Sequence, residues 1–243
     1  MRPPMRASAS RMRVVPAALF GALAWMAPLC AQGSEPTLAQ KLCVEYAKID
    51  TVSCEIQKTT SAGRKSVKWL SRVSYQKDDR IHVENVTPSK RRIIADGKTL
   101  YYYGDGDRRG YRKPVAELSD DWLVSLHTVP GTPMDHLLKL KDIPETALPG
   151  TADLPVRRAY QAAKVFVVLA CDAEGKLARI EFYSASDMKT KTAEYEYGFF
   201  HKVTDSCWIP TLYKATLYLP NGDTAEEIRR ISNLEVNIPI PPL

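Results

Sequence analysis

The feature that most constrains this chain is strict two-residue alternation of apolar and polar side chains, cut into short segments by tight-turn signals. From Val67 the apolar residues Val67, Trp69, Val73 and Tyr75 alternate with Lys68, Arg72 and Gln76, and from Thr192 the set Ala193, Tyr195, Tyr197, Phe199 alternates with Thr192, Glu194 and Glu196. A period of two places each set on one face of a strand, so only half-buried β-sheet accommodates such segments. The segments end at Lys77-Asp78-Asp79, Asp96-Gly97, Asp172 to Gly175 and Asn221-Gly222. Asp-Gly and Asn-Gly are the strongest short-range hairpin signals, since the central positions of a type I′ turn need φ > 0. The reading is a mainly β (α+β) chain built of antiparallel meanders.

Two regions break the alternation. Thr37 can cap a helix running to about Lys48, with Leu38, Leu42, Tyr46 and Ile49 as its apolar stripe. Between Val115 and Ile143, Ser119 is a possible cap for a short helix carrying Trp122, Leu123 and Leu126. Pro130-Gly131 ends it, and Thr132-Pro133 opens a second one carrying Met134, Leu137, Leu138 and Leu140. Pro144 to Pro155 reads as a loop. Strands then return at Val165–Ala170, Leu177–Tyr183, Thr192–Phe199, Trp208–Leu219 and Thr224–Leu234.

The N-terminus carries a different message. Arg2, Arg6, Arg11 and Arg13 precede an apolar run from Val14 to Cys30, with Ala31-Gln32-Gly33 behind it. Basic, apolar and small-residue segments in that order form a secretory signal, so residues 1–33 are expected to be cleaved, leaving 34–243 as one domain. Lipid attachment at Cys30 is the weaker alternative, because Leu29 is bulky for the site before an acylated cysteine. Removing the signal leaves 30 basic against 28 acidic residues, which withdraws the basic-protein argument for nucleic-acid binding. The clusters Lys90-Arg91-Arg92, Arg108-Arg109 with Arg112-Lys113, and Arg157-Arg158 read as solvated strand ends, or as a patch meeting anionic headgroups. An exported chain also makes Cys43, Cys54, Cys171 and Cys207 disulfide candidates. All three pairings stay open; the nearest in sequence are Cys43 with Cys54 and Cys171 with Cys207.

No Gly-x-Ser-x-Gly elbow, phosphate loop or His-Glu-x-x-His helix is present, and His82, His127, His136 and His201 share no ligand spacing. No catalysis, metal or cofactor is expected.

Thr87-Pro88, and five residues later Ile93-Ile94-Ala95-Asp96-Gly97-Lys98-Thr99-Leu100-Tyr101-Tyr102-Tyr103, resemble the periplasmic outer-membrane lipoprotein carrier family, LolA-like with LolB as its membrane-anchored relative. Thr132-Pro133-Met134 is similar to the start of that family's lid helix. The resemblance implies a curved, incomplete antiparallel barrel of about nine to eleven strands, with an N-terminal helix and a short helical lid. It implies a concave acyl-chain cavity built from Val67, Trp69, Val73, Tyr75, Ile81, Val83, Leu100, Tyr102, Tyr195, Tyr197 and Phe199. The lid would be Trp122, Leu123, Leu126, Met134, Leu137 and Leu138. Where the family carries an Arg-Pro pair that holds the lid, an ungapped count places Lys77-Asp78, making Lys77 the lid-lock candidate with an ammonium in place of the guanidinium fork. The partners implied are acylated lipoproteins or lipids, an inner-membrane exporter and an outer-membrane receptor, for a periplasmic monomer. A lipid-sensing regulator or a glycolipid-binding module using the same cavity is the alternative.

Overall fold

The computed structural model describes residues 35–63, 65–104, 110–162, 165–184 and 189–240. The signal segment, Cys30 and Arg108-Arg109 lie outside the described residues.

Helix α1 (Leu38–Tyr46) starts where Thr37 predicts: the Thr37 hydroxyl accepts from Gln40 N at 3.2 Å, and Gln40 Oε1 accepts from Thr37 N at 3.0 Å. This reciprocal capping box satisfies two otherwise unpaired backbone donors. The helix stops two residues before Lys48. Strands β1 (Thr51–Ala62), β2 (Lys65–Gln76), β3 (Arg80–Thr87), β4 (Arg91–Asp96), β5 (Thr99–Gly104) and β6 (Tyr111–Pro114) follow as the first meander. A 3-10 turn (Val115–Glu117) leads into α2 (Asp120–His127) and α3 (Met134–Leu140), where Ser119 occupies the cap position of α2 without a side-chain cap hydrogen bond. The second meander is β7 (Glu145–Leu148), β8 (Val156–Ala162), β9 (Val165–Cys171), β10 (Leu177–Ser184), β11 (Lys191–Lys202), β12 (Trp208–Tyr218) and β13 (Thr224–Val236).

The thirteen strands of the described residues form one antiparallel sheet in the order β6-β5-β4-β3-β2-β1-β13-β12-β11-β10-β9-β8-β7, not closed into a barrel. The count exceeds the expected nine to eleven because β6, β7 and β8 carry little alternation. Arg112-Lys113-Pro114 and Glu145-Thr146 suit edge strands, whose polar and proline residues blunt unpaired ladders, and Arg157-Arg158 disguise β8. Among the described residues the sheet joins the two meanders by pairing β1 with β13, from Val52↔Val236 to Ala62↔Ala225.

One core gathers the concave side of the sheet and all three helices. It contains Val52, Val73, Tyr75, Ile81 and Leu100 from the first meander, Leu169, Ile180, Tyr197 and Ile209 from the second, and Leu42, Leu126, Met134 and Leu137 from the helices. Gly131, between α2 and α3, has φ +81°, and a Cβ there would run into the Ile231 side chain of β13. The left-handed φ is what favours glycine here, and the close approach packs the link between α2 and α3 on β13. The N-terminal end of α1 is tied to the second meander: Ala39 N donates to Tyr160 Oη at 3.0 Å, and Leu38 N donates to the Glu145 carboxylate at 2.7 Å.

The hairpin chemistry differs from expectation. At Asp96-Gly97 the left-handed conformation is confined to Gly97 (φ +90°), while the Asp96 carboxylate accepts from Lys98 N and Thr99 N at 2.9 and 2.8 Å. Asp96 therefore acts as a side-chain acceptor in the turn. The consecutive left-handed pair falls at Asp78 (φ 69°) and Asp79 (φ 61°), between β2 and β3.

The expected disulfides are not formed. Cys43, Cys54, Cys171 and Cys207 are free thiols packed against or within the core. Burial pushes Cys54 and Cys171 up to about 12 and Cys207 up to about 11. They behave as small apolar residues, since the attacking species in bridge formation is the thiolate.

Candidate functional site, a pocket on the concave face

In an antiparallel sheet, directly paired residues share a face, so the register defines rows across the concavity. One row runs Val67–Thr60–Glu227–Ala215–Tyr195 over β2, β1, β13, β12 and β11. The next runs Trp69–Lys58–Arg229–Tyr213–Tyr197 over the same five strands. Beyond these rows the helices fill the concavity. Along the first row they do not, and a cavity of about 420 Å³ remains, lined by Val67, Tyr195, Tyr213, Ala215, Leu217 and Arg229 among others. A much narrower cleft of about 40 Å³ shares Tyr213 and Arg229 with it and lies against Gly131, Asp135, His136 and Tyr197.

Aromatic rings form the boundary between pocket and lid. His136 of α3 packs on Tyr195 at 4.6 Å and Phe182 at 5.4 Å between centroids. Tyr195 and Tyr197 each lean on Tyr213, at 5.7 and 5.5 Å. Such tilted pairs add about 0.5–1.5 kcal/mol beyond their buried area. Burial lowers the His136 pKa below its ordinary value; the Asp135 carboxylate opposes this, and the positive charges of Lys139 and Arg229 add to the lowering. The shift favours the neutral imidazole, at the narrow cleft beside the pocket.

The expected cavity residues divide into three groups. Val73, Tyr75, Ile81, Leu100 and Tyr197 are buried, with Val83 packed against the same core. Val67 and Tyr195 line the open pocket; Trp69 stands on the neighbouring row, and Tyr102 stacks on Tyr111 at 5.1 Å, away from it. Phe199 does not join them. Its φ of 50° breaks the alternation, so Phe200 packs against the core while Phe199 is 78% exposed. Of the expected lid, Leu126, Met134 and Leu137 are buried and Leu123 and Leu138 pack on the core, but Trp122 faces outward.

The hydrogen bond of Lys77, the lid-lock candidate, goes to α1 and not to the helical insert. Its ammonium donates to the carbonyl of Ala47, the C-cap of α1, at 3.0 Å, with Asp50 at 3.7 Å. From the end of β2 the Lys77 chain reaches a carbonyl at the C-terminal end of α1, where a cation is favoured. The turn touches the insert through another pair: His127 Nε2 of α2 lies 2.9 Å from an Asp79 carboxylate oxygen. The basic pairs are also engaged, with Arg157 on the buried Glu181, Arg158 on Glu145 and Arg92 on Glu84. Among the described residues no three His, Cys, Asp or Glu side chains are grouped as metal ligands, and no helix is long and apolar enough to cross a membrane.

The architecture is an open antiparallel sheet with helices against its concave side and a partly unfilled concavity. Solved structures share it. A LolA superfamily protein from Nitrosomonas europaea aligns with a TM-score of 0.51 at 14% identity, covering 84% of this chain and 93% of that one. A putative outer membrane lipoprotein-sorting protein domain from Vibrio parahaemolyticus gives 0.55 at 11% identity, covering 84% and 92%. A DUF1329 family protein from Desulfovibrio piger gives 0.53 at 12%, with the same coverage. Outer-membrane lipoprotein carrier proteins from two strains of Haemophilus influenzae are each 36% identical over 67 residues, which is 27% of this chain and 33% of theirs. The match thus spans only 33% of the length of those relatives. No protein-family profile matches the chain. The chain is LolA-like in fold.

Proposed function

We propose that this protein is a periplasmic carrier that holds acyl chains of lipid-modified proteins in the concave pocket and passes them toward the outer membrane. The observation that carries this reading is the cavity of about 420 Å³ beside the helical insert, with Val67 and Leu217 left 43% and 45% exposed at its lining. Its volume falls within the ~300–1,000 Å³ of ligand pockets. Each methylene moved into it from water gains about 0.8 kcal/mol, so even a partly inserted chain binds usefully without any bond being made or broken. The lipoprotein carriers and sorting domain that resemble this chain support the choice of cargo. Loading from an inner-membrane exporter and delivery to an outer-membrane receptor belong to the same proposal.

The test is retention of an acyl chain. Purified protein should bind a fluorescent fatty acid and release it to a triacylated lipopeptide. Leu217→Asp, at a partly exposed position, should weaken both without unfolding the protein. Protein that retains neither probe would sink the carrier reading.

A further inference from the structure

The concave face is not uniformly apolar. Lys58 and Arg229 are directly paired across β1 and β13, and Glu227 stands opposite Thr60 one row away. Glu227 serves both cations: it accepts from Arg229 Nε at 2.6 Å and lies 3.6 Å from Lys58 Nζ. Each cation also rests on an aromatic ring, Lys58 on Trp69 at 5.5 Å and Arg229 on Tyr213 at 4.8 Å. Lys65, which lines the pocket, makes no ion pair among the described residues. Glu226, the other carboxylate at the pocket, is taken up by Lys214 of β12 at 3.0 Å, so with Lys58 and Arg229 sharing Glu227 and Lys65 unpaired, four cations stand against two carboxylates on this side of the pocket. Arg229 spends its Nε on Glu227, while no described residue accepts from its two Nη groups.

For an apolar cargo alone this arrangement is a handicap. Charges partly withdrawn from water cost more than apolar residues of the same size would. A guanidinium with free Nη donors, held over a ring, is instead suited to a planar carboxylate or a phosphate. We propose that the pocket takes an amphiphile with an anionic headgroup, phosphate or carboxylate. The headgroup meets Arg229 and Lys65, with Lys58 adding its charge from the neighbouring row, and the chain lies along Val67, Leu217 and Tyr195. This inference rests on the pocket being an acyl-chain site and adds which chains it selects.

The experiment compares three twelve-carbon probes on the full chain by calorimetry below their micelle concentrations: dodecanol, laurate and dodecyl phosphate. One or both anions should bind roughly tenfold tighter than dodecanol, the worth of one hydrogen bond to a charged group. The tighter anion identifies the headgroup. Lys58→Gln with Arg229→Gln should collapse the anion-to-alcohol ratio toward one, and Lys65→Gln, at an exposed position, should lower it. Glu227→Gln removes the competing carboxylate and should raise the ratio. Equal binding of all three probes, or a ratio that Glu227→Gln lowers, overturns the headgroup assignment while leaving the acyl-chain reading intact. Failure of all three to bind overturns the acyl-chain reading itself.

Discussion

At the scale of residues, backbone conformation decides more than side-chain class. Gly97 adopts φ +90° with its Cβ direction 3.0 Å from the Asp78 carbonyl oxygen. Gly97→Ala should therefore cost about 1–2 kcal/mol, from the left-handed conformation and the backbone contact together; the urea midpoint measures it, and an unchanged midpoint would show that the two hairpins can move apart. Phe199 shows the same rule in reverse, since one left-handed residue moves it from the pocket to solvent and puts Phe200 inside. The thiols give a second prediction. Alkylation read by peptide mass spectrometry should label half-buried Cys43 first and leave Cys54, Cys171 and Cys207 unlabelled until the protein is unfolded. Detection of a Cys43–Cys54 or Cys171–Cys207 bridge in the native protein would contradict the free-thiol arrangement.

At the scale of elements, the helical insert is held by contacts that its own sequence hardly announces. The apolar stripes of α2 and α3 are legible as amphipathic helices, and Leu126, Met134 and Leu137 duly enter the core. Besides that apolar packing, α2 has a polar tie to the β2–β3 turn, His127 on Asp79, two residues that look like a helix end and a turn. Because both partners are partly exposed, their pair is worth under about 1 kcal/mol. Asp79→Asn should leave global stability nearly unchanged yet raise hydrogen exchange in residues 120–127, a local opening. Exchange unchanged in α2 but raised throughout would mean that the pair supports the whole fold. The α1 end behaves differently. Lys77→Ala removes a donor from the Ala47 carbonyl, so it loosens α1 and not the insert.

At the scale of the whole molecule, two meanders that are each local in sequence become one sheet through the pairing of β1 with β13. A chain ending before Thr224 should lose its cooperative unfolding transition, because both halves of the concave core would then expose their seam; a truncated chain that still melts in one sharp transition would refute this. Acid should also weaken the fold. Burial raises the pKa of Glu181, but the hydrogen bond and charge of Lys191, joined by Arg157, outweigh it and hold the carboxyl below its ordinary 4.5. His136 is likewise held below 6.5, mainly by burial. In both cases the folded chain binds fewer protons than the unfolded one, so the stability is full above the ordinary value and is lost as pH falls through the folded one. Urea midpoints should fall from pH 8 to 5.5 and again toward pH 3.5, the first step disappearing in His136→Asn. A midpoint that rises on acidification would reverse the sign. By itself the sequence determined the sheet-forming segments, the capped first helix, the two short insert helices and the LolA-like order of elements, because alternation, caps and turn residues act within a few positions of themselves. The sheet's seam, its two polar edges, the side taken by Phe199, the partner of Lys77 and the charges in the pocket were decided only by tertiary structure. Register sets these, and Lys58, Glu227 and Arg229 meet because strands more than a hundred and fifty residues apart pair in one particular alignment.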